Sequence, residues 1–411
     1  MKVVGLITEY NPFHKGHQYH IEQALRLTGA DAALVVMSGN YVQRGAPALL
    51  PKHLRAEAAL RGGASVVIEL PVCYAVGSAE YFAYGAVSLL TQLGCVDSIC
   101  FGAETTDLPA LEAIAQALTE EPPAYRQLLQ AALRSGLSFP QARQQALSAY
   151  FDDTTLSSFL EQPNHILGIE YLKALRRLNS SIRPYVLQRT GAGYHDLSVE
   201  HHYSSASAIR NLIAQDSAKP PELLDSLLPS ESCRLCTDNW NTRFPVFSND
   251  YSLLLKYRLL TMQPEDLAAY ADVTKDLANR IWKLNTQYQS FDQFCELLKT
   301  RQFTYTRISR ALLHILLDIK TEDIKQYVAC GSHGYARLLG FRQEHTDLLS
   351  QLKKNSKIPL ITKLAAAKQI QEPFSTMLAH DIFASNLYES VLTEKYHTPF
   401  RNEYEQQIVR V

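Results

Sequence analysis

Residues 3–20 read VVGLITEYNPFHKGHQYH. The apolar run Val3–Thr8 gives way to polar residues and then, over His17–Leu27, to helical spacing. A buried strand that turns directly into a helix sets a helix N-terminus at the strand's carboxyl end. That terminus offers free N–H groups and the positive end of the helix dipole to an anion. Gly16 lets the backbone come close to a phosphate. His14 and His17 stand either side of this glycine, where two imidazoles can donate hydrogen bonds to one phosphate as its charge builds. The stretch predicts a nucleotide-phosphate site with His14 and His17 as its catalytic pair.

Outward from this turn the pattern repeats. Apolar runs at Ala32–Met37, Ser65–Leu70 and Ser98–Gly102 alternate with helical segments at Lys52–Arg61 and Ala79–Leu93. Such alternation predicts βαβ units and a Rossmann-like parallel sheet, an α/β fold that binds ligands at the carboxyl ends of its strands. The polar residues after each run, within 8–17, 38–45, 69–71 and 102–104, are therefore the ones that bear on function. Residues 107–180 read as a helical insertion. Tyr185–Leu187 reads as a fifth strand, followed by QRTGAGYHD, and Ser204–Ala214 opens a further helix with capping chemistry. From about Tyr251 the spacing is helical. Trp240, Pro245 and Asn249-Asp250 interrupt it beforehand, so the expected division is a nucleotide domain over 1–240 and an α-helical domain over 250–411.

The 411 residues are 46% hydrophobic and 20% charged, enough for two or three domains with real cores. MKVVGLITEY lacks the layout of a signal peptide, and no apolar stretch approaches the roughly 20 residues that span a bilayer. A cytoplasmic protein without membrane partners is expected. The seven cysteines are scattered and odd in number, which argues against a disulfide framework. Cys233 and Cys236 form a lone CxxC without the two further ligands of a zinc site, so no protein-held metal is expected. Charge is uneven along the chain. Residues 299–363 carry 12 Lys and Arg against 5 Asp and Glu. A nucleic acid would touch that stretch, because phosphate contacts need clustered cations. Arg301, Tyr305, Arg307 and Arg310 fall in one helix-like segment of it, and Lys353, Lys354, Lys357 and Lys363 form a second cluster. Together they read as an RNA surface, with a solvated face as the plain alternative.

The HKGH turn is the signature of the nucleotidyltransferase superfamily, which usually carries a second motif similar to S-S-T-x-I-R. Ser205-Ala206-Ser207-Ala208-Ile209-Arg210 resembles it, with Ala206 and Ser207 departing from the pattern. Its hydroxyls and helix N-terminus suit the β- and γ-phosphates, and Arg210 adds charge. No KMSKS-like segment is present, which argues against an aminoacyl-tRNA synthetase. The blocks GLITEYNPFHKGHQYH, SGNYVQRGAPAL, VVIELPVCYAVGSAEYFAYGAV, FGAET, PNHILGIEYLKAL and YTRISRALLHILL, in this order, resemble the bacterial tRNA(Met) cytidine acetate ligase family over nearly the whole chain.

The resemblance implies a ligase that makes acetyl-AMP from free acetate and ATP and acetylates the N4 amine of the wobble cytidine of elongator tRNA(Met). Mg2+ is expected to accompany ATP. Implied ATP contacts run through Ile7, Thr8, Glu9, Tyr10, Asn11, Pro12, Phe13, His14, Lys15, Gly16, His17, Gln18, Tyr19 and His20. They extend to Gly102, Asn164, Arg189, Ser205, Ser207 and Arg210. Gly102 would let adenosine lie on the backbone unless it is merely a turn glycine. Asn164 otherwise reads as a helix cap, and Arg189 as a solvated surface residue. Gln43 and Arg44, after the second strand, suit a small carboxylate such as acetate, or else a loop salt bridge. Two other functions remain open on the residues: a small-metabolite adenylyltransferase, and a tRNA-binding factor with a relict nucleotide site.

Overall fold

The computed structural model describes residues 1–153, 159–189 and 205–411. Residues 190–204, which hold most of QRTGAGYHD and Ser204, lie outside them. The strands of the N-terminal part are β1 (Val3–Thr8), β2 (Ala32–Ser38), a small antiparallel hairpin β3–β4 (Tyr41–Val42 and Ala46–Pro47), β5 (Val66–Leu70), β6 (Ser98–Ala103) and β7 (Arg183–Gln188). Between them run the helices α1 (Lys15–Thr28), α2 (Lys52–Arg61), α3 (Val72–Ala75) and α4 (Ala79–Leu93). The main sheet orders five of these strands as β5-β2-β1-β6-β7, all parallel. Chain order reverses at β1, between β2 and β6, and the carboxyl ends of these strands frame the crevice where such sheets bind ligands.

The strand residues alternate between two cores, as a period of two requires. Val4 and Leu6 of β1 and Val35 of β2 pack with Ile21 and Ala24 of α1 and Ala59 of α2. Val3, Leu34 and Val36 face the other way, toward Phe82, Ala86 and Leu90 of α4. Both faces of β2 and β5 are buried throughout, which is why AALVVMS and VVIEL read as unbroken apolar runs. The expected helical insertion is present as Leu108–Glu120, Pro123–Arg134, Phe139–Phe151 and Pro163–Arg177.

The later half is mostly helical, but helical spacing alone misses three strands. Ala336–Phe341 (β8) pairs antiparallel with β5, and Leu360–Ile361 (β9) and Val409–Arg410 (β10) pair parallel with β8. The run ARLLGF is short and buried, and periodicity does not separate such a run from a helix segment. Two-residue strands exist through their pairing and have no pattern of their own.

A buried ion network joins these later strands to the first sheet. Lys52 Nζ lies 2.7 Å from Glu69 Oε1, 2.7 Å from Glu403 Oε1 and 2.7 Å from Ser385 Oγ. Arg337 pairs with Glu403 as well, and lies 3.6 Å from Glu69. All four ions are at least nine-tenths buried. Burial alone would raise the Glu403 carboxyl, but Lys52 and Arg337 outweigh it and hold the group well below the usual carboxylate range. Its stabilising contribution is therefore complete above about pH 4.5 and is lost as pH falls through the folded value. Glu403→Ala leaves two buried cations with one carboxylate between them. We expect it to lower the unfolding free energy at pH 7 by about 3–5 kcal/mol. Urea titrations read this directly, and the deficit relative to wild type should shrink below about pH 4. A loss under about 1 kcal/mol would place the compensation of these cations elsewhere.

Candidate active site

The site begins where β1 stops. Tyr10 takes a left-handed φ of 48°, and its buried ring packs edge-on against Phe13 at 4.9 Å and against His17 at 4.8 Å. Asn11 Oδ1 accepts from Leu49 N at 2.8 Å. Arg55, fully buried on α2, donates to the carbonyls of Glu9, Ser38, Gly39 and Leu50 and so fixes the ends of β1 and β2 together. Sequence reasoning passes over Arg55, because a lone arginine within a helix carries no motif.

His14 is the N-cap of α1. Its Nδ1 accepts from Gly16 N at 3.1 Å, and His17 Nδ1 accepts from His14 N at 3.3 Å. The two histidines thus form a capping box, with imidazole nitrogens in the roles that Ser and Glu usually take. Their rings stack with centroids 3.6 Å apart. An imidazole whose Nδ1 accepts carries its proton on Nε2 when neutral. Both rings therefore keep one N–H donor for a ligand.

These rings line a cavity of about 270 Å³ at the carboxyl ends of β1, β6 and β7. Of the predicted nucleotide residues, Ile7, Thr8, Glu9, Tyr10, Asn11, Gly16, Tyr19, His20, Gly102, Asn164, Arg189, Ser205, Ser207 and Arg210 line it too, and Gln43 and Arg44 reach it from the β3–β4 hairpin. Arg210 donates to Asn11 O at 2.9 Å and to Ser207 Oγ at 3.0 Å. Ser205 caps the helix Ala206–Gln215 by accepting from Ala208 N at 3.1 Å. Asn164 does not cap its helix. Its amide links Glu104 at 2.5 Å to Arg189 at 3.0 Å, beside Gly102. Phe82, Leu167 and Tyr171 add apolar walls that helical spacing marks only as core.

Pro12, Phe13, Lys15 and Gln18 are not among the cavity residues. Phe13 packs inward beneath the turn, where the ring meets Gly62. Lys15 extends away and donates to the carbonyls of Ser226 at 2.5 Å and Asp225 at 3.4 Å. Cys233 and Cys236 are buried free thiols, and the Cys233 thiol donates to Asp225 at 2.8 Å and is pushed up to about 12, first by burial. Among the described residues no group of three His, Cys, Asp or Glu side chains is arranged to hold a metal.

The two basic groups read from the sequence do not make one surface. Helix Tyr305–Leu317 abuts the hairpin: Ser309 Oγ donates to Gly45 O at 2.7 Å, and a Cβ at Gly45 would lie 2.3 Å from Arg310 N. Within it Tyr305 bonds Asp292 at 2.9 Å, Arg307 lies over Phe303, and Arg310 pairs with the Asp272 carboxylate at 2.8 Å. Arg301 is exposed just before it. Lys353 and Lys354 are exposed on the helix Thr346–Asn355, whose end meets the end of α4: Asn355 O crowds Gly94, and Lys357 N donates to Gln92 O at 2.9 Å. α4 ends where the chain turns into β6, so this second cluster sits by the amino ends of the parallel strands, away from the cavity. Linear charge counting merges what the fold separates.

Electrostatics favour uncharged rings in the cavity. Burial, then the charges of Arg189 and Arg210, push His14 down to about 3. Burial, then His14, His20 and both arginines, hold His17 well below its usual value. Burial and then Arg189 take His20 down to about 4. Imidazole resonances of all three should therefore stay those of neutral rings from pH 8 to about 5.5, with His14 and His17 as Nε2–H tautomers. A titration midpoint near 6.5 for either capping histidine in two-dimensional NMR would contradict this geometry. The hairpin gives a second expectation. Gly45 has φ 78° and no room for a Cβ, so Gly45→Ala should cost about 2 kcal/mol or more in urea unfolding. An unchanged midpoint would mean that the hairpin is not held against the helix.

The family model described as HIGH nucleotidyl transferase matches residues 1–403. A tRNA(Met) cytidine acetate ligase of Acetivibrio thermocellus is 40% identical over 413 residues, covering all of both chains. One from Caldanaerobacter subterraneus is 40% identical over 94% of this chain and 95% of its own. Thermotoga maritima TmcAL, 33% identical, superposes over both full chains with a TM-score of 0.93 as the apo crystal structure and 0.91 with α-thio ATP bound. From the strand–HKGH–helix turn to the last strand of the sheet, the chain belongs to the HIGH nucleotidyltransferase family and, within it, to the tRNA(Met) cytidine acetate ligases.

Proposed function

We propose that this enzyme activates free acetate with ATP and transfers the acetyl group to the N4 amine of the wobble cytidine of elongator tRNA(Met). The observation that carries the reading is the pair of imidazoles capping α1, His14 buried and His17 half-buried, with Arg189 and Arg210 on the same cavity, in a chain similar from end to end to acetate ligases. A carboxylate oxygen of acetate attacks the α-phosphorus. The bond to the β-phosphate oxygen breaks, and pyrophosphate leaves. His14 and His17 donate N–H bonds to the α-phosphate as negative charge gathers there, and they need no reorganisation to do so because both rings are fixed by capping. Ser205, Ser207, Arg210 and the N-terminus of Ala206–Gln215 hold the outer phosphates. Gly102 faces adenosine, and Gln43 and Arg44 bind acetate.

In the second half the cytosine amine attacks the acetyl carbon. The C–N bond forms, the bond to the AMP oxygen breaks, and the amine proton leaves with the departing phosphate. An exocyclic amine is a weak nucleophile, which is why a mixed anhydride is required. The tRNA approaches on the side of Arg301, Tyr305 and Arg307. Mg2+ would travel with ATP and offset phosphate charge. Glu9 is the one carboxylate among the described cavity residues, and an ion held by phosphates and water needs no more than one or two. No helix among the described residues is long and apolar enough to cross a membrane, and tRNA as substrate fits a cytoplasmic enzyme. An adenylyltransferase of small metabolites or a relict factor would leave the likeness to acetate ligases over the full chain without a cause.

Purified protein given ATP and labelled acetate, without coenzyme A, should release pyrophosphate, form acetyl-AMP and label tRNA(Met). His14→Ala and His17→Ala should each slow acetyl-AMP formation by about 10²–10³. His14→Asn separates catalysis from capping: it keeps a cap acceptor and a near-normal fold, yet should lose a similar factor. Label entering tRNA only from acetyl-CoA would end the ligase reading, and near-normal rates in all three variants would end the histidine assignment.

A further inference from the structure

A second cavity of about 500 Å³ opens beside the nucleotide pocket. The two share Glu9, Asn11, Arg44, Ser207 and Arg210 as a common wall. One helix spans both. In Ala206–Gln215 the residues Ser207, Arg210, Asn211 and Ala214 follow helical spacing along one face, the first two at the junction and the last two in the second cavity only. The far wall is helix Tyr305–Leu317, through Tyr305, Thr306 and Ser309.

We propose that this second cavity receives the acceptor cytosine, unstacked from a single-stranded RNA loop; the inference rests on the acetyl-transfer reading above and adds the subsite it lacks. The space is more than acetate needs and falls in the range that holds a ligand as large as a nucleoside. Val42, Pro47, Val246 and Phe247 give one apolar side with an aromatic ring, and Asn211, Ser248 and Thr306 add polar groups beyond those of the shared wall. That mixture, ring stacking plus a few bonds to a base edge, is how enzymes hold a flipped nucleobase. Shared residues fix the order of reactants. The α-phosphate lies by the histidines, acetate by Arg44 at the junction, and the cytosine beyond it, with N4 toward the acetyl carbon and O2 and N3 toward Asn211 and Thr306. The RNA backbone then leaves past Tyr305 and Arg307, the basic segment that borders this cavity and not the nucleotide pocket.

Ala214 is exposed and lines only the second cavity, so a tryptophan there fills space without disturbing a core. With Ala214→Trp, acetyl-AMP formation from ATP and acetate without tRNA should stay within about twofold of wild type, while acetyl transfer to tRNA should fall by about 100-fold or more. In parallel, wild-type protein irradiated with tRNA carrying 5-iodocytidine at the wobble position should crosslink through Phe247 or Tyr305. Equal loss of both activities would make the cavity part of the ATP or pyrophosphate path and overturn the proposal. Unimpaired transfer, or a crosslink confined to residues outside this cavity, would overturn it as well. Failure of wild type to make acetyl-AMP would instead strike the parent reading, and the crosslink would still decide what the cavity holds.

Discussion

Arg55 is a fully buried cation that no carboxylate approaches within ion-pair distance among the described residues. Main-chain carbonyls solvate it instead: Glu9, Ser38, Gly39 and Leu50 each accept from its guanidinium. Burial pulls it down to about 10, so it remains charged at neutral pH. A guanidinium in that position is fully satisfied only if the ends of β1 and β2 and the turn before α2 converge on it. These are the backbones that lead into the HKGH turn, the Gln43–Arg44 loop and the wall at Leu49. The cavity thus depends on an ion that never enters it.

The histidines obey a related constraint. Each Nδ1 is committed to a backbone N–H of the helix start, so ring orientation and tautomer follow from the helix itself. A helix terminus normally needs a capping side chain and a phosphate site needs fixed donors. Here the same two residues meet the first need with one nitrogen each and, in the reading proposed above, the second with the other. The side of the cavity proposed for acetate is built differently. Gln43 and Arg44 stand in the turn of a hairpin whose strands have two residues each, braced from outside by Gly45 against helix Tyr305–Leu317. One side of the cavity belongs to the sheet, and the other is held by the C-terminal helices.

Much of this was legible in the sequence. The alternation through residue 103 gives the sheet, because strands buried on both faces leave unbroken apolar runs. Residues at the ends of β1, β6 and β7 fall in the cavity, because the carboxyl edge of a parallel sheet is geometrically defined, whereas Glu69 at the end of β5 goes to the buried ion network. Arg189, Asn164 and Gly102 meet there although far apart in the chain. What stayed hidden depends on partners distant in sequence. β9 and β10 exist only through β8, Arg55 only through four carbonyls, and Arg310 is matched by Asp272 across 38 residues. Lys15, adjacent to His14 by number, points elsewhere because successive helical positions are about 100° apart. Charge density along the chain suggested one basic face where the fold makes two.

The cluster of Lys52, Glu69, Arg337 and Glu403 also constrains the order in which the molecule is made. During synthesis Lys52 and Glu69 leave the ribosome early and can pair only with each other, while Arg337 and Glu403 follow hundreds of residues later. Until the last of them arrives, the edge of β5 has no β8 beside it and stays open, a template for wrong strand pairing. Domains usually settle as they emerge. Here the nascent sheet waits on residues translated hundreds of positions later, and through that interval the edge of β5 stays uncovered.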